Sequence, residues 1–162
     1  MLTLAVDSLE LTTTASVACG LQLPARPGAI GTGSEATGRR LAVWLTPRSW
    51  LIHCPLEEEG KLIERIQAAF PDKLAHAVSF TDAVCWMELS GADAWDLLTE
   101  GGFVSLARGG VPIGQAKRTL IAQVAIVLIH QDADSWLLGI ERSRAPYFVA
   151  WLSRVAKPLK VA

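Results

Sequence analysis

Apolar and polar side chains alternate between Ala83 and Leu89. Ala83, Cys85, Met87 and Leu89 share one face, and Val84, Trp86 and Glu88 the other, which predicts a strand with one fully apolar face. The period then changes. Ala94, Trp95, Leu97 and Leu98 form a helical stripe, with Ser90 as its expected N-cap. Asp93, three residues on, places negative charge near the positive helix end, and Gly101 is the expected residue just past the C-terminus. Trp95 reads as a core anchor, so that Trp95→Ala is expected to cost about 3–5 kcal/mol.

Two further stretches echo each other. Leu45 to His53 is strand, turn and strand, leading into a helix from about Leu56 to Phe70. Gln131 to Gly139 is turn and strand after a Val124 to Ile129 strand, leading into a helix from about Arg144 to Val155. Both second strands open with Ser-Trp-Leu, at Ser49-Trp50-Leu51 and Ser135-Trp136-Leu137. In the first helix Leu62, Ile63, Ile66, Ala69 and Phe70 make one stripe, while Glu57, Glu58 and Glu59 load the first turn as a solvated, favourably charged start. In the last, Ser143 is the expected cap and Pro146 falls in the first turn. Phe148, Trp151, Leu152 and Val155 form its apolar face, and Pro158 lies beyond its expected end. Leu120 to Ile129, interrupted by Gln123, reads as one buried strand. Hairpins interleaved with helices predict an α+β fold: a mostly antiparallel sheet with helices packed on one face and split βαβ units.

Residues 20 to 39 are rich in Gly, Pro, Ser and Thr. The expected division is therefore 1–40 as an N-terminal segment and linker or arm, and 41–162 as the α+β domain. Gly101 to Gly114 is a second breaker-rich stretch, read as a surface crossover and candidate binding loop, because no phosphate-cradling glycine pattern stands there.

A strand ending in Leu89-Ser90-Gly91, followed by Ala92, Asp93, Ala94 and the Leu97-Leu98 pair, resembles the first domain of glycine-cleavage T-protein and its relatives. Within that superfamily the chain is most similar to the gamma subunit of heterotetrameric sarcosine oxidase, on the strength of Leu41 to His53, Gly114 to Leu128 and Ser143 to Leu152. The likeness covers roughly the C-terminal three quarters. It implies a non-catalytic small subunit of a complex that oxidatively demethylates sarcosine or a related N-methyl amino acid and passes the one-carbon unit to tetrahydrofolate. FAD, FMN, NAD and tetrahydrofolate are then expected in the complex, and large alpha and beta subunits and a small delta subunit as partners. One departure concerns the Asp-Val-Ser-His-like run of the superfamily, which falls on Ala77, Val78, Ser79 and Phe80. Ala77 in place of the Asp counts against a carboxylate-dependent folate site. The alternatives are a stand-alone folate-binding module and a homodimeric interaction protein.

Composition narrows the field. With 162 residues, 51% hydrophobic and 19% charged, the chain suits one folded domain, and 6 Trp against 1 Tyr place some tryptophans at an expected interface. A net charge of -1 without a basic stripe argues against nucleic acid, and no apolar run reaches membrane-spanning length. The absence of Lys or Arg before Arg26 leaves no charged signal-peptide start, which predicts a cytoplasmic location. Cys19, Cys54 and Cys85 form no CxxC pair and are expected as reduced thiols. His53, His76 and His130 lack metal-ligand spacing and read as structural. Asp132 and Asp134 flank a turn; Arg118 is a candidate contact for an acidic partner; Arg39-Arg40 is expected to be exposed. No catalytic, cofactor-binding or metal-binding residue is assigned.

Overall fold

The computed structural model describes residues 1–35, 38–71, 75–102 and 110–159. The chain divides into two units, Met1–Thr81 and Asp82–Ala162.

The first unit begins with β1 (Leu2–Val6), whose Leu2, Leu4 and Val6 point into the core. A 3₁₀ turn (Leu9–Leu11) leads into α1 (Thr12–Cys19), which buries Ala15, Ala18 and Cys19. Gly20 ends it with φ 68°, and its N–H bonds the carbonyls of Ser16 and Val17. A residue without Cβ is favoured at such a left-handed helix stop. Then follow β2 (Ile30–Glu35), β3 (Gly38–Thr46), β4 (Ser49–His53), α2 (Leu56–Ala69) and β5 (Ala75–Ser79). The sheet order is β2-β3-β4-β1-β5, with antiparallel neighbours throughout. Strands β4 and β5 flank β1 and are joined through α2, which is a split βαβ unit. The α2 stripe packs as the pattern predicts: Leu62, Ile66 and Phe70 are buried, with Ile63 and Ala69 against the same core.

The expected arm is thus part of this unit. β1 sits inside the sheet between β4 and β5, and Leu21 and Leu23 from the Gly/Pro-rich stretch are core residues. Alternating Leu-Thr-Leu-Ala-Val supplies a strand that five residues suffice to build, and the glycines allow close approach. A Cβ on Gly31 would collide with the Gln22 carbonyl.

The second unit runs β6 (Val84–Ser90), α3 (Ala94–Gly101), β7 (Ala116–Ile121), β8 (Val124–Asp132), β9 (Ser135–Glu141) and α4 (Ala145–Leu159). Its sheet order is β6-β9-β8-β7, again antiparallel. Cys85, Met87 and Leu89 face the core, as the alternation predicts, and Glu88 is exposed. Phe148 is buried from α4, with Trp151 and Leu152 beside it.

The two units share one topology. The order β1-α1-β2-β3-β4-α2 repeats as β6-α3-β7-β8-β9-α4, and the sheet order β2-β3-β4-β1 repeats as β7-β8-β9-β6. The register shifts just before both Ser-Trp-Leu strands, at Trp44/Thr46 and at His130/Asp132. The fold is α+β and antiparallel, with its strands in two sheets where the pattern predicts one.

Local details differ from expectation. Ser90 is the last residue of β6, and Asp93 takes the N-cap of α3 without a side-chain bond. Gly101 lies within α3, where a Cβ would strike the Trp151 ring. Ser143 bonds Glu141 and does not cap α4, which continues through position 158. The apolar run Leu120 to Ile129 is a hairpin: Ala122 and Gln123 both have positive φ, 49° and 64°, the geometry of a type I′ turn. The Ala122 N–H bonds the Gly101 carbonyl at 2.8 Å, so the end of α3 holds a turn that lacks the usual Asn or Gly.

Candidate functional site

A cavity of about 350 Å³ opens in the second unit where three elements meet. The start of α3 contributes Ala92, Trp95 and Asp96. The β8–β9 turn contributes Ala133 and Asp134, and the approach to β7 contributes Val111 and Pro112. The floor is His130 from β8 and Trp136 from β9, which are cross-strand partners. Gly91 fastens the β6–α3 corner to the opposite turn: its N–H bonds the Asp134 carbonyl at 2.9 Å, with φ at 123°.

The chemistry of this cavity is one-sided. His130 and Trp136 stack 3.8 Å apart with an interplanar angle of 6°, and Trp95 tilts against Trp136 at 5.6 Å. His130 Nδ1 lies 2.7 Å from the Val111 carbonyl. A carbonyl only accepts, so Nδ1 carries a proton. Among the described residues, His130 Nε2 and the buried Trp136 Nε1 have no hydrogen-bond partner. The lining adds two exposed carboxylates, Asp96 and Asp134, to the indoles of Trp95 and Trp136, and among its described residues there is no Lys or Arg.

The matching position of the first unit is finished differently. Trp50 is the counterpart of Trp136 and equally buried, and its Nε1 donates to the Pro24 carbonyl at 2.8 Å. A segment of the chain itself seats on that tryptophan.

The first unit instead concentrates buried charge. Arg40 is buried, against the exposure expected for it, and so are Glu58 and Glu59 of the expected solvated helix start. Arg40 Nη2 and Nε donate to Glu58 Oε2 at 2.7 and 3.0 Å, and Nη1 donates to the Cys19 carbonyl at 3.1 Å. Glu59 meets the terminal ammonium of Met1 at 3.5 Å and accepts from the Thr81 hydroxyl. Both carboxylates lie inside because β3 and the N-terminal strand bring cations to α2. Burial alone would raise the Glu59 carboxyl, yet bonds from Ser79 and Thr81 and the Met1 ammonium together hold it below its ordinary value. Burial pushes the Cys19 thiol up to about 12, and it raises Cys54 as well. It lowers His53, helped by the terminal ammonium.

The other sequence candidates scatter. His53 ends β4, and His76 lies in β5. Ala77, at the place of the superfamily's Asp, is buried in β5 opposite Leu4. Asp132 Oδ1 accepts the Asp134 N–H, the local turn bonding expected of it. Arg118 is exposed on the edge strand β7. Trp95 is only half-buried, so its truncation costs less than a full core value and its indole remains available as a cavity wall. Of the Gly101 to Gly114 loop, residues 103–109 lie outside the described residues. The three cysteines are free. Among the described residues no group of three or more His, Cys, Asp or Glu could hold a metal ion, and no helix is long and apolar enough to cross a membrane. Sequence reasoning missed the cavity, although inward alternation at Trp136 and the polar β8–β9 turn were its visible signals.

The family model for the sarcosine oxidase gamma subunit family matches residues 6–157. The chain belongs to that family. A chain of the heterotetrameric sarcosine oxidase from Corynebacterium sp. U-96, solved with pyrrole 2-carboxylate, shares its fold: the TM-score is 0.84 at 21% identity, over 99% of this chain and 80% of that one. The glycine cleavage system aminomethyltransferase T from Bartonella henselae is also similar, with a TM-score of 0.63 at 10% identity, over 93% of this chain and 42% of that one. No curated protein matches the sequence. Membership and fold thus agree with the resemblance drawn from Leu89-Ser90-Gly91 and the three further segments.

Proposed function

We propose that this chain is the small gamma subunit of a heterotetrameric sarcosine-oxidase-like complex in the cytoplasm. The complex oxidatively demethylates sarcosine or a related N-methyl amino acid and delivers the one-carbon unit to tetrahydrofolate. Large alpha and beta subunits hold FAD, FMN, NAD and the folate, a small delta subunit completes the assembly, and this chain contributes to assembly. The observation that carries the reading is the family match over residues 6–157, nearly the whole of both units. The burial of Ala77 where the superfamily has a carboxylate gives the stand-alone folate module no comparable support.

The test is affinity purification of the tagged chain from its native cells, with mass spectrometry and a flavin spectrum of the eluate. Co-elution of large subunits with a yellow flavin spectrum is expected. A colourless monomer or homodimer overturns the proposal.

A further inference from the structure

We propose that the outer edge of β6 takes an antiparallel strand from a large partner subunit, completing the second sheet as β5 completes the first. The inference rests on the gamma-subunit reading, which supplies the partner; the place and the side-chain pattern of the strand come from the repeat.

The ladder registers align the two units. With Trp50 matched to Trp136, Leu2, Thr3, Leu4 and Ala5 of β1 correspond to Met87, Glu88, Leu89 and Ser90 of β6. In the first sheet β1 lies between β4 and β5; β6 ends the second sheet, and among the described residues no strand lies beyond it. The Arg142 N–H donates to the Ala83 carbonyl and the Gly91 N–H to the Asp134 carbonyl, so the odd-numbered residues of β6 bond β9. The backbone N–H and C=O groups of Val84, Glu88 and Ser90 therefore point the other way, and Glu88 and Ser90 are exposed. In β1 the equivalent side is used: the Phe80 N–H donates to the Met1 carbonyl, and Thr3 and Ala5 lie opposite Val78 and His76 of β5. A row of backbone groups without a neighbouring strand is a template for one. Burial points the same way. Leu2 and Leu4 are 0% exposed, whereas their counterparts Met87 and Leu89 face the core and are only half-buried.

The first sheet also defines what fits. Opposite Leu2, Leu4 and Val6 it places Ser79, Ala77 and Ala75, small side chains on a strand that packs against α2. A second copy of β6 would bring Met87 and Leu89 to that face, so the repeat selects a foreign segment with Ala or Ser at alternate positions. Its other face meets the exposed Glu88, at the place where Val78 lies opposite Thr3. A Lys or Arg there supplies the complementary charge. A free small ligand has no row of donors and acceptors at strand spacing, which restricts the occupant to polypeptide.

The experiment follows hydrogen exchange on the isolated chain and on the chain bound to the purified large-subunit assembly. The amides of Val84, Glu88 and Ser90 are expected to slow about 10-fold or more with the assembly at ten times its Kd. The assembly is also titrated onto immobilised wild type, Glu88→Pro and Glu88→Gln. Proline at 88 removes an outward N–H and keeps the bonds to β9, so the thermal midpoint of the isolated variant reports that it folds. Glu88→Pro is expected to weaken binding about 30-fold or more, and Glu88→Gln, which keeps the backbone, by no more than about 5-fold. The exchange measurement needs no variant and decides the matter if Glu88→Pro does not fold. Binding of the assembly with all three amides exchanging as in the isolated chain overturns the strand and leaves the gamma-subunit reading intact. An equal loss in Glu88→Gln and Glu88→Pro assigns the contact to the side chain and overturns the strand as well. Failure of the wild type to bind overturns both. Concentration-dependent dimers of the isolated chain, with these amides already protected, overturn the partner strand in favour of a second copy.

Discussion

Glu58→Gln removes one charge from the pair that joins β3 to α2 while keeping the size of the side chain. The contact is close, 2.7 Å between Arg40 Nη2 and Glu58 Oε2, with Arg40 3% and Glu58 7% exposed. At an effective dielectric of about 20, two unit charges at that distance attract by ~6 kcal/mol. Desolvation costs several kcal/mol per ion and offsets most of this, so the intact pair adds little net stability. The single variant is another matter. The Arg40 charge stays inside without its carboxylate, held by the Cys19 carbonyl and its remaining contacts, and such broken pairs cost about 3–5 kcal/mol. Glutamine still accepts a hydrogen bond, so the lower end, about 3 kcal/mol, is expected. Arg40→Met/Glu58→Leu, which removes both charges and refills the space, is expected within about 1 kcal/mol of wild type. Urea unfolding gives the stabilities, and hydrogen exchange locates the loss in Met1–Thr81. If Glu58→Gln costs under about 1 kcal/mol, or the double variant is no better than the single, the pair is not the buried, coupled unit described.

Trp50→Phe is expected to cost about 1 kcal/mol more than Trp136→Phe in urea unfolding, because only Trp50 loses a made hydrogen bond, at 2.8 Å to Pro24. Equal costs would mean the Trp136 N–H is satisfied in solution. In the native protein at neutral pH, a thiol reagent is expected to modify Cys85, which is half-buried, and to spare Cys19, whose burial raises its thiol to about 12; all three react after denaturation. Modification of Cys19 before unfolding would contradict its burial. For Glu59 the folded carboxyl lies below its ordinary value, so the unfolded chain binds more protons in acid. Its contribution is present above the ordinary value of 4.5 and is lost as pH falls through the folded value. Glu59→Gln is therefore expected to flatten the acid limb of a stability–pH curve, and an unchanged limb would exclude this carboxylate as its source.

The legible parts of the fold were those governed by local periodicity. The stripe Leu62, Ile63, Ile66, Ala69, Phe70 and the alternation Cys85, Met87, Leu89 each need one buried face and nothing more. What could not be read depended on partners distant in sequence. Arg40 and Glu58 are 18 residues apart, and either alone looks like a solvent residue. The turn at Ala122 and Gln123 is imposed by the Gly101 carbonyl against local preference. The Gly/Pro-rich stretch looked like a linker because composition registers turns, whereas its packing depends on Leu21, Leu23 and the Pro24 carbonyl meeting other strands.

The repeat shows how little sequence identity a shared topology demands. Each unit needs a hairpin whose second strand turns a large aromatic inward, and that survives as Ser49-Trp50-Leu51 and Ser135-Trp136-Leu137. Each also needs a shifted register before that strand, which polar turn residues permit at either end. Everything else is free to diverge, and the divergence is where the units differ in chemistry. Opposite Trp50 the chain places Trp44 and a proline carbonyl; opposite Trp136 it places His130, whose proton is committed to Val111. The Pro24 carbonyl satisfies Trp50 while Trp44 Nε1 across the ladder has no described partner; in the second unit Trp136 Nε1 is the buried indole without one. A buried donor left unpaired is a standing cost to the folded state. Each unit carries one such cost, at Trp44 beside Trp50 in the first and at Trp136 in the second, so the two tryptophan hairpins differ in which indole is left over and not in whether one is.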